Sequence, residues 1–129
     1  MKRREAREKA LQALFQIDMS KIEPSEALEN VLSDGQSDDF LQQLIEGTCA
    51  HLSEIDDTIS THLERWSIDR LGKVDVNVLR IATYELKFTE TPPNVVINEA
   101  VEVAKIYGDE KSGSFVNGIL SKINGEKSD

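Results

Sequence analysis

Apolar residues along this chain recur mainly at three- and four-residue intervals, the spacing of helices rather than the alternation of strands. The pattern is densest at Val74–Phe88, VDVNVLRIATYELKF. There Val74, Val76, Val78, Leu79, Ile81, Ala82, Tyr84, Leu86 and Phe88 cover most of a helical circumference. A surface helix carries one apolar stripe, so a helix apolar nearly all round is enclosed by neighbours on several sides. It is about 15 residues long, too short and too charged to span a bilayer. The stretch therefore predicts the central helix of a soluble bundle. Its few polar residues are informative. Asp75 stands at the start, where an acid can cap exposed N–H groups and oppose the helix dipole. Arg80 and Lys87 share one narrow polar side. Glu85 falls on the apolar side, so it needs a hydrogen-bonding partner, and the reading is a satisfied buried acid rather than a catalytic one.

Six further helices surround this one in the pattern. Residues 3–19 place Ala6, Ala10, Ala13, Leu14 and Ile17 on one face, with small side chains that permit close approach of a neighbour. Ile22–Ser25 is a break, and Pro24 fits a first helical turn. A short helix over Ser25–Leu32 presents Ala27, Leu28, Val31 and Leu32. After the loop Ser33–Ser37, a third helix at about 38–52 is capped by Ser37 or Asp38 and buries Phe40, Leu41, Leu44, Ile45, Thr48, Cys49 and Leu52. Ser53 opens a fourth, with Ile55, Ile59, Leu63 and Trp66 on one stripe. Thr89–Asn94, TETPPN, stops the central helix. Residues 96–107 form the sixth, with Gly108 as its C′ residue. The last, about 112–124, buries Val116, Ile119, Leu120 and Ile123.

The chain has room for one domain with its own core. Its single cysteine, Cys49, excludes an intrachain disulfide and a four-cysteine zinc site, and it reads as a buried thiol in a reducing cytoplasm. His51 and His62 have no partners spaced for metal, and no cofactor motif is present. The opening MKRREAREKA has no apolar run behind its basic residues, so a secretory signal is not expected. Net charge is −9, which argues against nucleic acid until its distribution is considered. Residues 1–9 hold five basic and two acidic side chains, and the rest of the chain is strongly acidic. A local patch can act despite the overall sign, because screening limits electrostatic reach to about 8 Å in physiological salt.

Arg3, Arg4 and Arg7 lie together on a shoulder of the first helix, followed by Leu11 and Phe15. Positive charge at a helix N-terminus is mildly unfavourable, and arginine's planar fork suits phosphate. At the other end, Phe115 sits about 90° off the centre of the last helix's core stripe at helical spacing, with Lys111 and Lys122 on the same side. A ring between two ammonium groups is a plausible base-stacking platform. If the last helix packs beside the first, these two sites merge into one RNA track.

Four blocks of this chain, RREAREKALQALFQID, VDVNVLRIATYEL, VVINEAVEVAKIYG and SFVNGIL, resemble the NusB family of bacterial transcription antitermination factors. The resemblance spans about residues 3–123. It implies an all-α, compact bundle of about seven helices, one domain made of an N-terminal sub-bundle at about 3–66 and a C-terminal one at about 72–125. It implies binding of boxA RNA in nascent ribosomal transcripts together with NusE, a small-subunit ribosomal protein, so that RNA polymerase resists termination, with no chemistry performed. The RNA-contacting positions would be Arg3, Arg4, Arg7 and Phe115, with the charged turn Asp109–Lys111 beside them. The NusE-facing positions would be Phe15 and Asp75. Phe15 replaces a tyrosine of some relatives, which removes any hydroxyl contact, and the tail GEKSD is short and not basic. Competing readings are a protein-interaction bundle without RNA and a detached helper domain of an RNA-modifying enzyme. The flanks of the first helix suit either NusE or a second copy of the chain.

Overall fold

A computed structural model describes residues 1–128 and contains seven α-helices and no strand among them. In chain order these are α1 (Arg3–Ser20), α2 (Pro24–Val31), α3 (Asp39–Ala50), α4 (Leu52–Thr61), α5 (Lys73–Phe88), α6 (Pro93–Tyr107) and α7 (Ser112–Ser128), with one 3₁₀ turn at Ile68–Arg70 before α5. The all-helical expectation holds. α5 is enclosed as its sequence requires: every residue from Val76 to Leu86 is buried except Arg80. It packs against α1, α3, α4, α6 and α7. α1, α2 and α3 pack on one another, as do α5, α6 and α7. One continuous cluster of buried side chains links them, from Ala6 and Leu14 on α1 through Leu79 on α5 to Leu120 and Ile123 on α7.

Local chemistry sets several boundaries. The Asp38 side chain accepts a 2.8 Å hydrogen bond from the Leu41 N–H and caps α3. Pro93 opens α6 at its first position, three residues earlier than periodicity suggested, because a proline there loses only an N–H that has no helical partner. Asp75 makes no cap. Gly72 precedes α5 without a side-chain cap, and Asp75 lies inside the first turn, where its charge still opposes the dipole. Gly108 is extended (φ −97°) rather than left-handed. A side chain there would overlap Ser112, which closes the turn into α7 with Asp109.

Two expectations about packing fail. α4 stops at Thr61, where the His62 and Leu63 N–H groups bond back to Ile59 and Ser60 in tightened three-residue turns. Leu63 remains half-buried, but Trp66 leaves the stripe and is 58% exposed. α7 packs on α6, α5 and α4, whereas α1 packs on α2, α3 and α5 and touches α6 only at its edge. α1 and α7 share no packed face. Periodicity shows that a face is buried, not which helix covers it.

Candidate nucleic-acid interface

Glu85 has the partner its position demands. On α1, Arg7 is only 5% exposed. Its Nε donates to Glu85 Oε2 at 2.9 Å and its Nη2 to Oε1 at 2.8 Å, a two-pronged ion pair inside the core. Its third nitrogen is 3.7 Å from Glu99 of α6. Arg4, one turn earlier, donates through Nε to Glu99 Oε1 at 3.2 Å and through Nη2 to Oε2. Hydrogen bonding from Arg4 lowers the Glu99 carboxyl below its usual range. Arg3 points outward with its guanidinium 4.0 Å above the Phe40 ring of α3, a cation–π contact that leaves its N–H donors facing solvent. No carboxylate pairs with Arg3 among the described residues. The three arginines thus differ: Arg7 is fixed in the core, Arg4 is held by a surface acid, and Arg3 is presented. Arg3 and Arg7 line an open cleft with Glu90, Thr91, Pro92, Val95, Asn98 and Glu99 around the start of α6. Sequence reasoning missed Phe40 and Glu99 in this corner. The apolar placement of Glu85 called for a cation but did not say which one.

Phe115 occupies a second place. It is half-buried in the first turns of α7, over the core. Beside it a shallow groove is lined by Leu63, Arg65 and Trp66 from the segment after α4, and by Gly118, Ile119 and Lys122 from α7. Lys122 is exposed and donates to Glu64 at 3.1 Å. Lys111 is exposed in the turn before α7, its backbone N–H bonded to Asp109 Oδ1 at 2.8 Å. The short connections 89–92 and 108–111 make α5 and α6, then α6 and α7, antiparallel neighbours, so α5 and α7 run in the same direction. Ile123 and Glu126 accordingly line a groove with Lys87, near the end of α5. Eight residues before Ile123 on the parallel α7, Phe115 lies level with the middle of α5, on the side that faces the segment after α4. The arginine corner and the Lys-flanked ring line separate recesses with no residue in common.

A third surface is apolar. Phe15 (37% exposed), Met19 (65%) and Tyr107 (41%) surround Val74 in a groove between α1, α5 and α6. Asp75, half-buried, follows Val74 directly. Of the two residues expected to face a protein partner, Phe15 lines this patch of apolar surface and Asp75 is not among its lining residues. No helix among the described residues is long and apolar enough to cross a membrane, and no cluster of His, Cys, Asp and Glu could hold a metal.

Comparison with known proteins decides the family. The NusB family matches residues 4–125 of this chain. The chain belongs to the NusB family. A transcription antitermination protein NusB from Geobacillus kaustophilus (strain HTA426) is 56% identical over 124 residues, covering 95% of each chain. The solved structure of T. maritima NusB has a TM-score of 0.91 at 44% identity, covering 98% of this chain and 92% of that one. A crystal structure of the antitermination factors NusB and NusE in complex with dsRNA gives a TM-score of 0.87 at 36% identity, over 96% of both chains.

Proposed function

We propose that this protein is an RNA-binding transcription antitermination factor that works in the cytoplasm with a NusE-type ribosomal protein. It engages boxA RNA of nascent ribosomal transcripts and helps RNA polymerase resist termination, without catalysis of its own. The observation that carries this reading is the near full-length likeness to a NusB chain solved with NusE and dsRNA. The curated relatives matched end to end bear the antitermination name, which favours this reading over a helper domain of an RNA-modifying enzyme.

Within that function, Arg3 is the phosphate contact of the corner, joined by Arg4 when phosphate displaces Glu99. Arg7 positions the corner through Glu85. Phe115 stacks a base, with Lys111 and Lys122 near its phosphates. The apolar groove at Phe15, with Asp75 beside it, receives the protein partner. Its unpaired apolar surface is the kind that marks an interaction site, and the acidic body suits a basic ribosomal protein.

The test is an RNA titration across salt, with and without the NusE-type partner. Log affinity for a boxA-like RNA is expected to fall linearly with log salt, and Arg3→Ala to flatten the slope by about one unit. Absence of RNA binding under every condition, with the protein complex still forming, would leave a protein-interaction bundle instead.

A further inference from the structure

We propose that Trp66 is a second base-stacking ring, which forms with Phe115 a slot for an unpaired RNA base between α7 and the segment that follows α4. The slot rests on the RNA-binding reading and adds to it a residue and a location.

Trp66 is the only tryptophan of the chain. An indole is among the largest apolar side chains available for a core, yet here it is 58% exposed. The segment's apolar need is met by Leu63, which stays against the core while Trp66 turns outward. It turns toward the groove that Phe115 lines, and the two rings do not stack on each other. Open space lies over Gly118 on the floor, where a methyl group would meet no atom within 4 Å.

The rim supplies the charge. Arg65 and Lys122 stand at the groove, opposed by Glu64 alone among its lining residues. The Glu64–Lys122 pair is exposed on both sides, so a phosphate can take the carboxylate's place. On a molecule of net charge −9, a recess with two aromatic walls and two cations fits a polyanion with flat, stackable groups. Bases stack on such rings without hydrogen-bond readout, so the slot contributes affinity for unpaired RNA rather than sequence choice.

Because Trp66 is the sole tryptophan, its emission reports on the slot directly. Titration of the full chain, with its NusE-type partner, by a boxA-like single-stranded RNA is expected to quench that emission along the binding isotherm. Trp66→Ala is expected to weaken RNA about tenfold with the salt slope unchanged, and Trp66→Phe to recover most of the loss. Circular dichroism melts of these variants should match the parent, since the ring is exposed. RNA that binds with emission unaltered and with Trp66→Ala equal to the parent overturns the slot and leaves the RNA-binding reading standing. Quenching by the protein partner alone, to which RNA adds nothing, overturns it too and assigns the face to protein. An RNA that fails to bind the parent at any salt overturns both.

Discussion

Arg7 and Glu85 show how much one pair of residues decides. Each would be costly alone in the core, because a charge taken out of water without a partner costs several kcal/mol. Together their two hydrogen bonds, 2.9 and 2.8 Å, satisfy both and tie the first helix to the central one. Removing one member leaves the other charged and buried, so Arg7→Ala or Glu85→Ala should destabilise the fold by about 3–5 kcal/mol in urea denaturation. Replacing both together, Arg7→Met with Glu85→Leu, should recover most of that loss, since a well-packed apolar pair often equals a buried ion pair. The double variant also separates two roles that a single substitution confuses. If it folds and binds RNA with the salt slope of the parent, Arg7 acts on RNA only by holding the corner. A slope lower by about one unit would instead give Arg7 a phosphate contact.

The helices are where the sequence was most and least informative. The spread of apolar residues round most of 74–88 was enough to put α5 at the centre, because a helix with only a narrow polar side must be covered on several others. One close contact of that helix was not legible. Gly47 on α3 lies so close to the Tyr84 ring of α5 that an added methyl group would overlap it, and Tyr84 is 5% exposed and has little room to move. Gly47→Ala should therefore lower stability by about 1–3 kcal/mol in thermal or urea melts, although alanine is the better helix former. Gly118→Ala on the open face of α7 should do the opposite and gain about 0.5–1 kcal/mol. Equal effects at both sites would mean that helix propensity, not the α3–α5 contact, governs Gly47. The candidate site was legible in part for the same reason. Spacing gave the arginine cluster and the Lys-flanked ring, but three arginines within about one turn look alike until Glu85 and Glu99 claim two of them. Trp66 fitted a helical stripe by spacing, and only the end of α4 at Thr61 takes it out of the core.

Across the whole molecule the charge is arranged in places rather than along a line. A net charge of −9 repels a polyanion at distance, so contact depends on short-range patches within a screening length of about 8 Å. Buried pairing commits Arg7 to Glu85 and Glu99 restrains the exposed Arg4, which leaves Lys2 and Arg3 as exposed cations with no paired carboxylate among the described residues. The second patch lies on α7 and the segment after α4, neither of which packs on α1, and it shares no lining residue with the corner. Sites so separated, with no shared side chains, act independently to within about 0.3–0.5 kcal/mol. Arg3→Ala and Phe115→Ala should accordingly weaken binding of an RNA long enough to reach both places by amounts that add in the double variant. Only the arginine change should flatten the salt dependence, since a stacking ring releases no counterions. Trimming that RNA from one end should abolish sensitivity to one substitution while preserving the other, and trimming from the opposite end should reverse the pattern. A coupling above about 1 kcal/mol in the double-mutant cycle, or an RNA whose two ends lose sensitivity together, would show that one contiguous contact spans both patches although they share no lining residue.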